Sequence, residues 1–153
     1  FMPLDNLSFN MSYNHSEEQN WLNWLDDNLL ATYERKQRTS VFELEWFKNN
    51  QHELRIKAQL VSFTGRNPTP YLGNAKGKLV PTDIAISPIT ISELAFQVRY
   101  RYEIMPLSYL YLVYSKGGRI SANDEEDNLS NLYRRPWNNP EKENFTVKLR
   151  YRF

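Results

Sequence analysis

The feature that most limits how this chain can fold is the strict alternation of apolar and polar residues over whole segments. In residues 144–153 one set of alternate positions is apolar: Phe145, Val147, Leu149, Tyr151 and Phe153. The positions between them are polar: Thr146, Lys148, Arg150 and Arg152. The same pattern recurs in residues 93–102 and 54–60. A period of two predicts β-strands with one apolar and one polar face.

Reading the whole chain for this period predicts an all-β fold, an antiparallel meander of about six long strands in one unit spanning residues 1–153. The predicted strands are 6–14, 28–47, 52–63, 91–103, 108–116 and 144–153. Within 28–47 the apolar positions change parity between Tyr33 and Phe42. We expect a β-bulge near residues 36–40, in preference to a tight turn.

The hairpin around Asn50 allows the register to be predicted. Pairing Trp46 with Leu54 and Leu44 with Ile56 aligns apolar residues on one face. The same register sets Glu45 opposite Arg55 and Glu43 opposite Lys57 on the other face. A slip by one residue would lose both alignments together, so this register is strongly specified.

Composition excludes several classes of protein. No apolar run approaches the roughly 20 residues of a membrane-spanning helix, whereas a membrane strand needs only about 9 to 11. Lys plus Arg (19) nearly balance Asp plus Glu (18), which gives no reason to expect a nucleic-acid partner. The chain has no cysteine, which excludes disulfides and thiolate metal sites. Residues 1–5 lack a basic start and an apolar stretch, so no signal peptide is expected.

The predicted connections alternate in length. Long stretches at 15–27, 65–88 and 117–143 take turns with short ones at 49–51 and 104–107. Outer-membrane β-barrels combine long extracellular loops with short periplasmic turns, and in this scheme the C-terminus lies in the periplasm. Because a closed bacterial barrel has at least about eight strands, six would form only the C-terminal part of a larger barrel.

Several segments resemble a known family. They include Asn20–Trp24, Asp27–Tyr33, His52–Lys57, Leu94–Glu103, Pro106–Ser115 and Phe145–Phe153. They are similar to the C-terminal region of an uncharacterised Gram-negative family, whose members carry a carbohydrate-binding-module-like N-terminal domain followed by a large outer-membrane β-barrel of unknown function. The resemblance covers most of the chain from Trp21 onward. It implies a barrel but no catalytic residue, and the N-terminal module is not in this chain.

The polar positions of the predicted strands carry a basic stripe, which would face the barrel lumen. Its residues are Arg55, Lys57, Arg99, Arg101, Lys148, Arg150 and Arg152. A lumen lined in this way would favour anions. The alternative that we prefer is that these cations pair with Glu43, Glu45, Glu93 and acids on further strands.

Two other groups of residues fit a membrane barrel. A girdle of aromatic residues near the predicted periplasmic ends comprises Trp46, Tyr102, Tyr109, Tyr151 and Phe153. The apolar positions of the last segment, Phe145, Val147, Leu149, Tyr151 and Phe153, are similar to the C-terminal signal that the barrel-assembly machinery recognises.

The sequence offers few residues for catalysis or for metal binding. His15 and His52 stand in no triad or metal-ligand spacing, so neither an enzyme nor a metal or other cofactor is expected. The acidic run Asp124–Asp127 lacks the spacing of a calcium loop, and we expect a solvated loop tip.

These observations predict a non-catalytic segment of an outer-membrane β-barrel that acts as a membrane anchor and as the wall of a pore or transport barrel. The expected partners are outer-membrane lipid, the barrel-assembly machinery and the remaining strands of the barrel. The alternative is a soluble β-sandwich or a calycin-like ligand-binding module with the apolar face turned inward. Alternation alone does not separate the two, because it reveals two faces without showing which one meets water.

Overall fold

The computed structural model describes residues 6–153, so the expectation about a signal peptide concerns residues outside the described part. The chain forms one open antiparallel sheet of seven strands with a single helix on one face. The strands are β1 (Leu7–Asp26), β2 (Leu29–Asn49), β3 (His52–Gly73), β4 (Leu79–Pro81), β5 (Ile89–Met105), β6 (Ser108–Ala122) and β7 (Lys142–Arg150). The helix, α1 (Leu129–Asn138), lies between β6 and β7 in the chain.

The meander topology is confirmed for the six long strands. Their order in the sheet, β1-β2-β3-β5-β6-β7, follows the order in the chain, and the short strand β4 pairs with β3 outside this path. The predicted hairpin register is also correct: Trp46 pairs with Leu54, and Glu43 pairs with Lys57. We call the end with the turns at residues 50–51 and 106–107 the turn end, and the opposite end the helix end.

Most predicted strands were too short at the helix end. β1 continues through residues 15–26, which we had expected to be a loop, and a turn at residues 27–28 connects it to β2. Asp27 adopts a positive φ of 38° there, as a two-residue hairpin turn requires. β3 extends to Gly73 and β6 to Ala122, whereas β7 starts at Lys142 and ends at Arg150. β4 is a seventh strand, where about six had been expected.

The predicted bulge within β2 was wrong. The register shifts lie instead on the neighbouring strands, between Glu18 and Trp21 of β1 and between Arg66 and Thr69 of β3. Each neighbour carries the extra residue and a residue with positive φ, Asn20 at 58° and Asn67 at 47°. From Leu29 to Phe47 β2 alternates without interruption, so its apolar residues change from one face to the other; the extra residue that β2 does carry lies at its end, between Phe47 and Asn49.

We define the two faces of the sheet by the side chains of β3. Face A bears Leu54, Ile56 and Ala58, and face B bears Arg55 and Lys57. Residues that pair directly across strands share a face. The buried core cluster lies on face A, where Leu60 and Leu94 contact Leu132 of α1.

Candidate functional site

The basic stripe is assembled on face B at the turn end. Arg55 pairs with Arg99, and Lys57 pairs with Gln97. Arg101 pairs with Tyr111, which in turn pairs with Lys148, so one row runs across β5, β6 and β7. Arg150 pairs with Tyr109 in the next row, and Arg152 follows the end of β7, where its backbone N–H donates to Ser108 Oγ at 3.0 Å.

Part of the stripe is neutralised by glutamates on the same face. Lys57 Nζ lies 2.7 Å from Glu43 Oε1, and Arg55 Nη1 lies 3.4 Å from Glu45 Oε1. Glu53 is 8% exposed and contacts both Arg55 and Arg101. The expected pairing with Glu43 and Glu45 is therefore confirmed.

The expected pairing with Glu93 was wrong, because this carboxylate binds Arg119, at 3.2 Å from Nε. Among residues 6–153, Arg99, Lys148 and Arg150 have no carboxylate partner. Arg99 only donates to Gln97 Oε1 at 3.2 Å. Face B at the turn end thus keeps an excess of positive charge.

Face B also carries open cavities. A cavity of about 440 Å³ is lined by residues of five strands, from Glu43 of β2 to Lys142 of β7. A smaller cavity of about 230 Å³ lies among Glu53, Arg55, Arg99, Arg101 and Tyr111. Open cavities of this size can hold water and small solutes.

Face A carries an exposed apolar band at the turn end. Large apolar side chains of the strands at the two edges are among the most exposed: Phe9 (38%), Met11 (72%), Tyr13 (52%), Phe145 (66%), Val147 (58%) and Leu149 (61%). In the sheet interior the band continues through Phe42, Ile56 and Val98. An exposed apolar surface across six strands is unusual for a protein that contacts only water.

The polarity of the two faces is exchanged at the helix end. On face A, Ser62 pairs with Ser92 and Thr64 with Thr90, and all four are at most 2% exposed. On face B, Tyr33 is 2% exposed and packs near Trp21. The ring centroids of Trp21 and Phe63 are 5.6 Å apart. This exchange accounts for the change of parity in β2.

The acidic run is folded onto face A, which corrects the expectation of a solvated loop tip. Asp127 contacts Arg38 and lies 2.7 Å from Arg66 Nη2 and 3.8 Å from Lys36 Nζ. The hydrogen bond from Arg38 and the surrounding cations hold the pKa of Asp127 below its ordinary value, although burial opposes them.

The start of the run is held by β5 and α1. Thr90 Oγ1 donates to the Asp124 carbonyl at 2.7 Å, and Arg135 Nη1 lies 2.6 Å from Asp124 Oδ2. Burial acts to raise the pKa of Asp124, but the hydrogen bonds from Arg135 and Thr90 outweigh it, so the pKa is lowered. The run thus binds α1 to the sheet.

Helix α1 packs against the sheet just beyond the apolar band. Leu132 is fully buried, and its carbonyl accepts a hydrogen bond from Ser92 Oγ at 2.5 Å. An apolar groove of about 510 Å³ runs between α1 and face A. Its lining residues are Ala58, Leu94, Phe96, Ser130, Tyr133, Arg134 and Trp137.

Helix α1 was not predicted from the sequence, although the sequence contains a capping residue and apolar residues at helical spacing. The Asn128 side chain caps the helix by accepting from the Ser130 N–H at 2.9 Å. Leu129, Leu132, Tyr133 and Pro136 then follow at helical spacing, and Leu132 and Pro136 are buried. Pro136, near the end of the helix, makes the segment look like a loop in the sequence.

The remaining predicted residues are distributed over both faces. Tyr109 of the expected girdle lies on face B, under the Arg101 guanidinium at 5.4 Å, and so on the face opposite Trp46 and Tyr102. Phe145, Val147 and Leu149 lie on face A of β7, and Tyr151 and Phe153 follow the strand with ring centroids 5.2 Å apart. His52 donates to or accepts from Tyr100 Oη at 2.6 Å and stacks on Tyr102.

Within residues 6–153, no group of three or more potential ligand side chains is placed to bind a metal ion. The one helix described in the chain is neither long enough nor apolar enough to span a membrane. No protein-family model matches the chain, and comparisons with curated proteins and with solved structures find no significant similarity.

Proposed function

We propose that this chain is a segment of a larger outer-membrane β-barrel, in which it anchors the protein and lines the interior with face B. The observation that carries this proposal is the exposed apolar band on face A, which lies opposite the charged face B. Lipid against face A and water against face B satisfy both faces.

The lengths of the strands support this arrangement. β2 has 21 residues and β3 has 22, about twice what a tilted strand needs to cross a membrane. Face A is apolar over residues 54–60 of β3 and 94–102 of β5, and it becomes polar toward the helix end, where Ser62 pairs with Ser92 and Thr64 with Thr90. That apolar span is close to the roughly 9 to 11 residues of a membrane crossing, so the helix end would project into water.

The edges of the sheet support a larger barrel. In the described part of the chain, β1 and β7 each pair with one neighbour only. Unpaired backbone groups facing lipid would cost several kcal/mol each, so further strands are required on both sides. The other strands of the barrel and the barrel-assembly machinery are the partners that this proposal implies.

Cysteine labelling tests the proposal directly, because the chain contains no cysteine of its own. Single variants Thr146→Cys, Val147→Cys and Lys148→Cys place thiols at adjacent positions of β7 on alternate faces. In membranes, a charged maleimide should label positions 146 and 148 and leave position 147 unlabelled. A lipid-soluble maleimide should label position 147.

The same variants distinguish a membrane barrel from a soluble binding module. A protein that remains soluble without detergent, and in which all three thiols react with the charged reagent, would overturn the barrel proposal. Ala58→Cys and Gln59→Cys on β3 provide a second pair of opposite faces, away from the edge of the sheet.

A further inference from the structure

Beside α1 on face A lies the one strongly apolar groove among the cavities described above. Its floor is formed by Ala58, Leu94 and Phe96 of the sheet, and its wall by Tyr133 and Trp137 of the helix. Trp137 is 39% exposed and meets Phe96 edge-on, with ring centroids 5.3 Å apart. At about 510 Å³ the groove has the size of a site for a small apolar ligand.

The groove is preformed, because buried contacts away from it hold α1 in place. Leu132 and Pro136 are buried against the sheet, and Ser92 binds the Leu132 carbonyl. The acidic run adds the Asp127 contacts to Arg38 and Arg66. A ligand entering the groove would therefore not have to order the helix first.

The rim of the groove is cationic. Arg134 is exposed and donates only to the uncharged Asn131 Oδ1, at 3.0 Å; it has no carboxylate partner among residues 6–153. Lys116 lies over the Trp137 ring at 4.7 Å from its centroid, but its Nζ also lies 3.9 Å from Glu143 Oε2, so Arg134 is the cation left to bind an anion. An apolar floor with a free guanidinium at its mouth matches a molecule with a hydrocarbon chain and an anionic head.

The groove is continuous with the apolar band. Ala58 and Phe96 belong both to the groove and to the rows of face A that run toward the turn end. In the proposed barrel this location is the boundary between lipid and water, where Trp and Tyr side chains are favoured. An acyl chain could enter from the bilayer without crossing a polar surface.

We infer that the groove between α1 and face A binds one membrane phospholipid with a net negative head group, with an acyl chain along Phe96 and Trp137 and the phosphate at Arg134. This inference rests on the proposed barrel. The groove would add a specific lipid contact to the general membrane contact of face A.

Native mass spectrometry of the full-length protein in nonionic detergent tests the inference, with dipalmitoyl phosphatidylglycerol and dipalmitoyl phosphatidylcholine as probes. One phosphatidylglycerol should be retained in preference to phosphatidylcholine. Arg134→Gln should weaken its retention about tenfold, as the loss of a charge-assisted hydrogen bond predicts. Ser130→Phe, which fills the groove from the exposed side of α1, should weaken the retention of both lipids.

Lys148→Gln is the matched control, because it removes the same charge from face B and should leave retention unchanged. Equal retention by the wild type, Arg134→Gln and Ser130→Phe would overturn the groove site, and so would equal retention of the two lipids by the wild type. Either result would leave the barrel proposal intact if Val147→Cys is still protected from charged maleimide. A protein that fails that labelling test would overturn both.

Discussion

Gly118 of β6 lies directly beneath the last turn of α1. A Cβ on Gly118 would fall 2.9 Å from the Asn139 carbonyl oxygen and closer still to that of Pro136. Backbone atoms cannot yield as the end of a flexible side chain can, so this position accepts only a hydrogen atom. The close approach allows the helix to contact the sheet and form one wall of the groove.

Gly118→Ala should therefore displace α1 from face A. We expect a loss of about 1 to 3 kcal/mol in the free energy that holds the helix on the sheet, the usual cost of overpacking. Hydrogen exchange of the α1 amides measures it, and their protection should fall while that of β3 and β5 is kept. Gly117→Ala is the control, because its Cβ would lie 3.6 Å from the Leu94 carbonyl oxygen, an ordinary contact. Equal protection of α1 in the two variants would contradict the steric argument.

The hairpin of β2 and β3 could be predicted because two independent patterns specify the same register. Apolar residues align on one face only when Glu43 meets Lys57 on the other. The bulge could not be located, because a change of parity within one strand has two causes. Either an extra residue is inserted, or the apolar face changes sides, and β2 does the latter, as the burial of Tyr33 on face B demonstrates.

The structure of the helix end could not be predicted from the sequence, because the residues there are largely polar. Residues 15–26 contain few apolar positions, yet they continue β1 and pair with β2, where Glu17 also meets Lys36 at 3.3 Å. The sequence likewise predicts a solvated loop tip for the acidic run, since its partners Arg38 and Arg66 lie far away in the chain. Pairing over such distances depends on the tertiary structure.

Asp127→Asn should release the acidic run from face A. The variant keeps the size of the side chain but removes the negative charge that faces Lys36, Arg38 and Arg66. Hydrogen bonds to charged groups contribute about 1.5 to 3 kcal/mol, and we expect a loss within or below that range because the site is partly exposed. Limited proteolysis between β6 and α1 measures it. Glu125→Gln changes an exposed residue of the same run and should leave the cleavage rate unchanged; similar rates in both variants would contradict a specific role for Asp127.

Acidification should weaken the same contact. Because the pKa of Asp127 in the folded protein lies below its ordinary value of 3.8, its charge contributes stability above that value. The contribution should be lost as the pH falls below 3.8 toward the folded pKa, when the carboxylate becomes protonated. Hydrogen exchange of residues 123–128, corrected for the intrinsic pH dependence, should show increased opening in this window. The Asp127→Asn variant should lack that component, and an unchanged profile in the variant would assign the effect to another group such as Asp124.

The uncompensated cations of face B predict an anion preference if the barrel conducts. Arg99 and Lys148 have no carboxylate partner among residues 6–153, and they lie on the face that would line the interior. Positive groups along a pore lower the electrostatic barrier for anions. In planar bilayers with a salt gradient, the full-length protein should therefore give a reversal potential whose sign shows that anions permeate better than cations. The double variant Arg99→Gln with Lys148→Gln should move that potential toward zero. Arg134→Gln, on the opposite face, should leave it unchanged. A barrel that never conducts would contradict the pore hypothesis. An equal shift of the reversal potential in Arg134→Gln would show that the basic stripe does not face the conducting path.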